Sequence, residues 1–450
     1  MIDRGRLTEL ISRERERYAA AHPASLRAFE QAGAHLLGGV PMTWMRMWAG
    51  GFPLYLATAH GARLTDIDGN IFVDFSLGDT GAMAGHSPVQ VQAALAERFG
   101  ELGGATAMLP TRDADWVAGE LTRRFGAEYW SFTLSATDAN RWALRIARQL
   151  TRRPRIAVSS YCYHGSVDES VIIATPDGPL SRPGNTGPPV DPVLTSRVAE
   201  FNDLTALERE LAAGDVAALL MEPAMTNIGI VLPEPGYLAG VRELTRHYGT
   251  LLINDETHTF SAGPGGCTRA WGLEPDIVTI GKAIGGGIPA GAFGLSAPLA
   301  AQIMADETAD LVDVGGVGGT LAGNALSVAA MRATLEHVLT DEAFSIMIGL
   351  GDRYTAGIGE VIKTRGVPWN VVQLGARAEY RFCPLPPRNG GDSHAAADQE
   401  LDEYLHLYLA NRGMLLTPFH NMALMCPTTT DADVDAHTAV FGAAVDELID

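Results

Sequence analysis

The chain has 450 residues, 46% of them hydrophobic, with a formal net charge of −20 and four cysteines. This length and apolar content suffice for two or three domains with a sizeable core. The acidic balance argues against nonspecific binding to nucleic acid or anionic membranes, which reward basic patches, and the scattered Cys162, Cys267, Cys383 and Cys426 form neither a CxxC metal site nor a compact disulfide framework.

In chain order, an amphipathic helix is predicted near residues 3–20. Its charged run Arg13-Glu14-Arg15-Glu16-Arg17 is no apolar signal core, and no apolar stretch of about 18 residues follows, so a soluble cytoplasmic protein is expected. Short strands follow around 54–58 and 71–75, with the turn Asp66-Ile67-Asp68-Gly69-Asn70 between them suited to a hairpin. From about 85 to 330, helical stretches such as 237–248 alternate with apolar runs at 155–159, 216–221, 250–254 and 276–280. Such runs read as buried strands of a mostly parallel sheet in an α/β domain. The Pro- and Gly-rich segment 177–193 reads as a long rim loop. A helical region over 325–365, a strand near 371–374 and helices near 396–411 and 431–449 suggest a carboxyl-terminal α+β part. The expected division is therefore an amino-terminal segment of a small domain (1–84), a large domain (85–330) and the rest of the small domain (331–450). No fixed-period repeat or low-complexity tract is visible.

The chemistry concentrates at strand ends. Only two lysines occur, Lys282 and Lys363, in a chain that otherwise uses arginine for positive charge. Lys282 sits in the glycine-dense run Gly281-Lys282-Ala283-Ile284-Gly285-Gly286-Gly287. Arginine stays protonated, whereas a desolvated lysine can become a nucleophilic amine, so Lys282 is a candidate Schiff-base lysine. Asp255 ends the preceding apolar run and is placed to hold the ring nitrogen of a pyridine cofactor. Taken singly, Asp255 reads equally as a helix cap and Lys282 as a surface residue. Ser135-Ala136-Thr137 before the helix starting near Ala139, and Gly315 to Thr320 before the helix from Asn324, could each supply backbone amides and hydroxyls to a phosphate. Each reads equally as ordinary capping or a loop.

Together with Gly38-Gly39-Val40, Gly85-His86 and the loops above, these motifs resemble the class III aminotransferases. These are pyridoxal-phosphate enzymes of fold type I, and the similarity is nearest to the branch containing glutamate-1-semialdehyde aminomutase. It spans nearly the whole chain. The resemblance implies an α/β fold with a mostly parallel sheet in a large domain and a smaller α+β domain built from both termini. It also implies pyridoxal 5'-phosphate as cofactor. Ser135, Ala136 and Thr137 fall on the phosphate loop, where Ala136 replaces a glycine and Asp138 the usual glutamate. A positive φ there would strain Ala136. Tyr163 in Tyr163-His164-Gly165 carries over as the ring that stacks on the cofactor, with His164 structural or in support. Asn227 carries over as the residue that approaches the cofactor's phenolic oxygen and Glu222 as the one that organises the site, with a buried structural glutamate as the alternative; Asp255 carries over as partner of the ring nitrogen and Lys282 as the covalent anchor. Thr320 carries over as a phosphate contact to a neighbouring subunit, which implies a homodimer with shared active sites.

Departures from the family fall around the substrate. Thr257-His258-Thr259 follows Asp255-Glu256 where valine is usual, making His258 a candidate specificity residue or a buried histidine. Arg46 lies near the branch's carboxylate-binding arginine, flanked by Trp44, Met45, Met47 and Trp48. It could anchor a carboxylate beside an apolar substrate portion, and surface or core roles remain open. The segment 416–422 also differs, and the branch's later Ser-x-x-His signature is absent around Met425-Cys426-Pro427. These differences favour an aminotransferase moving an amino group from an amino acid or amine donor to an oxo acceptor. An aminomutase is the alternative, and a non-enzymatic member of the fold is a third reading.

Overall fold

The structure, a computed structural model, describes residues 2–305 and 317–449. Two compact units emerge: one comprises Met1–Pro88, Ser345–Pro386 and Ala396–Asp450, the other Val89–Phe344 and Pro387–Ala395.

The larger unit is built on a seven-stranded sheet. In spatial order its strands are Tyr129–Thr133, Gly291–Leu295, Ile277–Gly281, Leu251–Asp255, Val216–Met221, Arg155–Ser159 and Ser196–Ala199. Gly291–Leu295 alone runs against its neighbours, so the fold is α/β with a mostly parallel sheet. Both faces are covered. Val158, Leu220 and Ile253 pack with Ala143, Leu144 and Ala147 of the helix Ala136–Thr151, while Ala157, Leu219 and Leu252 point the other way, to Leu207, Leu211 and Val241. Burial on two sides explains why these strands are apolar throughout rather than alternating.

The smaller unit holds the terminal elements. The strands Leu56–His60, Arg63–Asp66 and Ile71–Asp74 form antiparallel pairs, and Met414–Leu415 adds parallel to the last. The turn at 66–70 does make a hairpin, but between Arg63–Asp66 and Ile71–Asp74, because an unpredicted strand at 63–66 intervenes. Asp66 braces it by accepting from the backbone N–H of Asp68 (3.0 Å) and Asn70 (2.8 Å), and it meets His22 Nδ1 at 2.8 Å. Asp68 accepts from the N–H of Ala24 and Ser25, so this one turn fixes the junction between the helices Arg4–Ala21 and Pro23–Ala32. A second sheet, Asn370–Leu374, Arg377–Arg381 and Met422–Leu424, belongs to the same unit.

Three expectations shift in detail. The helical region 325–365 is two helices, Ala325–His337 and Asp341–Arg365. The rim segment contains a strand, Gly178–Ser181, paired antiparallel with Ile172–Thr175, and a short helix, Pro192–Thr195. Of the second glycine-rich loop, Gly315 and Gly316 lie outside the described residues.

Candidate active site

Six of the seven strands of the large sheet run the same way, so Thr133, Ser159, Met221, Asp255 and Gly281 end along one edge. In open α/β sheets the carboxyl edge is where ligands bind.

Asp255 is 3% exposed. Its Oδ2 accepts from Asn140 Nδ2 at 2.8 Å and lies 2.9 Å from His164 Nδ1, while Oδ1 accepts from the Thr257 N–H at 3.0 Å. Burial alone would raise the carboxyl's pKa; His164, with the Thr257 and Asn140 hydrogen bonds, outweighs it and brings Asp255 down to about 2. Burial also disfavours charge on His164, yet Cys162 and Asp255 more than offset this and hold its pKa well above the ordinary value. The edge thus presents a fixed carboxylate within a network of donors. Asn140 is itself held, accepting from Thr279 Oγ1 at 2.6 Å through Oδ1 and donating to the His164 carbonyl at 3.2 Å.

Lys282 follows directly on its strand and takes φ 50°, an uncommon conformation for a side-chain-bearing residue and one that concentrates at functional sites. Its Nζ lies 2.8 Å from His258 Nε2.

Ser135, Ala136 and Thr137 form the amino end of the helix Ala136–Thr151. Ser135 Oγ accepts from the Asp138 N–H at 3.2 Å and donates to Asp138 Oδ2 at 3.1 Å, a capping arrangement that gives the glutamate-to-aspartate departure a local use. Ala136 has no positive φ. Its side chain is tolerated because Gly281 faces it: a Cβ on Gly281 would lie 2.8 Å from the Ala136 nitrogen and 2.9 Å from its Cβ. On the other side, a Cβ on Gly291 would come within 2.6 Å of the Ser135 carbonyl oxygen, and one on Gly165 (φ +76°) within 1.9 Å of Thr137 Oγ1. Glycines at 165, 281 and 291 therefore let three segments close around one turn. Gly165→Ala should displace Thr137 and cost about 2 kcal/mol, combining an αL penalty with a clash. A thermal midpoint equal to that of the parent would show that the turn yields freely.

Glu222 is buried; its Oε2 accepts from Thr226 Oγ1, and its Oε1 accepts from Asn227 Nδ2 at 3.1 Å. Burial raises its pKa. Asn227 Nδ2 also reaches the Tyr163 carbonyl at 3.5 Å, joining Tyr163 to this group. Thr320 is exposed, on a loop beside a cavity of about 270 Å³ that Met108 and Asn324 also line. Trp44 and Arg46 belong to the smaller unit, where the Trp44 ring meets Phe419 edge-on with centroids 5.3 Å apart and the Arg46 guanidinium covers Gly38. Asn140 and Thr279 escaped the sequence reading. The available signal was an asparagine in the second turn of an otherwise alanine-rich helical face, which is unfavourable unless it is bonded.

The donor set suits a phosphorylated pyridine aldehyde: a helix amino end with hydroxyls, a buried carboxylate kept ionised, and a lysine at a strand end. The family model "Aminotransferase class-III" matches residues 45–440. A glutamate-1-semialdehyde-aminomutase from Pseudomonas aeruginosa PAO1, a variant of which has been solved in complex with PMP, is 47% identical with a TM-score of 0.96, covering 99% of each chain. The glutamate-1-semialdehyde 2,1-aminomutase of Desulfitobacterium hafniense (strain Y51) is 34% identical over 91% of this chain and 95% of its own. A β-phenylalanine aminotransferase from Variovorax paradoxus is 29% identical, with a TM-score of 0.86 and 97% of each chain covered. On its sequence and its fold-type-I architecture alike, the chain belongs to the class III aminotransferases.

Proposed function

We propose that this chain is an aminomutase of the glutamate-1-semialdehyde type, moving an amino group between adjacent carbons of one substrate. The observation that carries this reading is the 47% identity to the Pseudomonas aeruginosa aminomutase across 99% of both chains. The chain is a pyridoxal-phosphate enzyme, as class III aminotransferases are. When bound, that cofactor supplies an aldehyde that condenses with amines and a ring that accepts electrons from the substrate carbon.

The protein's own residues would divide the work as follows. The amides and hydroxyls of Ser135, Ala136 and Thr137 hold the phosphate, Tyr163 packs on the ring, Asn227 approaches its phenolic oxygen and Glu222 organises the site around it. Asp255 stays ionised and keeps the ring nitrogen protonated. The Lys282 amine anchors the aldehyde and, once displaced by substrate, carries a proton between substrate and cofactor carbons at Nζ. Arg46 binds a substrate carboxylate beside Trp44, and Thr320 contributes to the phosphate of a second subunit in a homodimer. Among the described residues no helix is long and apolar enough to cross a membrane.

A second reading, the aminotransferase that the sequence favoured, draws support from Thr257-His258-Thr259 and from the similarity to the β-phenylalanine enzyme. It requires both an amino donor and an oxo acceptor. Glutamate 1-semialdehyde given alone should yield 5-amino-4-oxopentanoate, measured by mass spectrometry. No isomerisation, with turnover only when a donor and an oxo acceptor are both supplied, would replace the aminomutase by the aminotransferase.

A further inference from the structure

Both members of the Lys282–His258 pair are held from behind. Lys282 is fixed by its backbone at φ 50°, directly after a buried strand. His258 is 5% exposed and lies in a turn tied down on both sides of it. The Thr257 N–H donates to Asp255, the His258 carbonyl accepts from the Ser261 N–H at 3.2 Å, and Thr259 Oγ1 donates to Glu256 Oε2 at 2.5 Å. Glu256 in turn accepts from the N–H groups of Cys267 and Thr268. A separation of 2.8 Å between two nitrogens so placed is a hydrogen bond carried by one proton. An ammonium has donors only, so opposite it Nε2 must be the bare, accepting nitrogen of a neutral ring. Two cations at that distance repel, so the pair favours a single positive charge.

We propose that His258 is the proton partner of Lys282, taking the ammonium proton so that the amine can attack an aldehyde. The inference rests on the Schiff-base reading of Lys282. An Nζ–H bond breaks, its electron pair stays on nitrogen, and a new Nε2–H bond makes the ring an imidazolium. Condensation of an ammonium with an aldehyde gives a protonated C=N linkage and water, with no net change in protons. The proton His258 takes is therefore the one it returns to the departing oxygen. The same exchange serves Lys282 whenever substrate displaces it. This gives a chemical use to Thr257-His258-Thr259, the segment that departs from the valine usual after the Asp-Glu pair.

The other titratable groups on the surrounding elements have their own partners. Asp255 is bound to His164 and Asn140, Glu222 to Thr226 and Asn227, and Glu256 to Thr259 and the amides at 267–268. Cys267, whose thiol pKa burial pushes up, adjoins Glu256. His258 Nε2 lies within hydrogen-bond distance of Nζ, at 2.8 Å.

The test is the rate at which apoprotein forms its visible C=N absorbance on mixing with pyridoxal phosphate, followed across pH. In the parent the rate should carry an inflection in the imidazole range. His258→Gln keeps a hydrogen-bonding group without a titrating one; it should lose that inflection and react about 100-fold more slowly, the low end of what general acid–base catalysis supplies. In His258→Ala, added imidazole should restore the rate in proportion to its concentration while leaving the parent unaffected. Circular dichroism establishes that both variants are folded, and Gln serves if Ala does not fold. A folded His258→Gln with the parent's rate and pH profile would overturn the proposal while leaving the Schiff base intact. Failure of the parent to form the absorbance at all would instead overturn the Schiff-base reading.

Discussion

Lys282→Ala is expected to abolish the visible absorbance with pyridoxal phosphate and to lower turnover by at least about four orders of magnitude. On the proposed reading two contributions disappear together, the covalent anchor and the base that moves the proton, and the base alone would account for about 10²- to 10⁴-fold. The composition makes the experiment unusually clean. With only Lys282 and Lys363 in the chain, borohydride trapping of the holoenzyme can label only one of two lysine peptides. Lys363 lies on the helix Asp341–Arg365 with its side chain 82% exposed and a 3.9 Å pairing to Glu360. It is solvated and stands apart from the strand-end residues, so Lys363→Ala should retain both absorbance and turnover. Label on Lys363, or an absorbance that survives Lys282→Ala, would remove the assignment of Lys282. Lys282→Arg should be equally inactive, because a guanidinium restores charge and length but not a nucleophile.

The legibility of these residues follows from what sets their environment. Asp255 closes, and Lys282 directly follows, a strand buried on both faces, and such strands announce themselves as continuous apolar runs. A polar residue at the end of one stands out against that background. The neighbouring strand Gly291–Leu295 did not, because glycines occupy positions 291 and 294. Those glycines answer to close packing rather than to a turn: a Cβ at 294 would lie 2.7 Å from the Trp130 ring, and one at 291 would strike Ser135. In the smaller unit, Arg377–Arg381 hides for the opposite reason. Its Arg-Glu-Arg alternation reads as a solvated edge, yet Arg377, Glu379 and Arg381 are 1%, 0% and 7% exposed. Burial there is settled by tertiary partners, such as Thr80 bonding Arg377, and no local pattern encodes those. Asn140 and Thr279 were invisible for the same reason. The bonds of Asn140 to Asp255 and to Thr279 join a helix to strands more than a hundred residues away in sequence.

That tertiary network makes Asp255→Asn the second large prediction. The amide matches the carboxylate in size but cannot carry its charge, and one of its two positions becomes an N–H₂ facing donors. Asn140 Nδ2, His164 Nδ1 and the Thr257 N–H all approach Asp255 within 3.0 Å, so at least one contact turns from attraction to donor-against-donor. His164 also loses its counter-charge in a fully buried site, a change that costs about 3–5 kcal/mol when one member of a buried pair is removed. On the proposed reading function should suffer separately, because the ring nitrogen would no longer face an anion, and turnover should fall by about 100-fold or more. The pH dependence tells the charge effect from a packing effect. A carboxyl whose pKa is depressed in the folded state stabilises the fold above its unfolded value of about 3.9. That contribution is lost as pH falls through the folded value of about 2. The stability gap between parent and variant should therefore be wide at neutral pH, begin to close below about pH 4 and be small near pH 2. His164 bounds the other side: its raised pKa means that its share is present below about pH 6.5 and fades only as pH climbs through its elevated folded value. Denaturant midpoints for both proteins between pH 2 and pH 8 measure this directly. A gap that stays constant across that range would mean that Asp255 contributes shape alone, and the ionised partner for the ring nitrogen would have to be sought elsewhere.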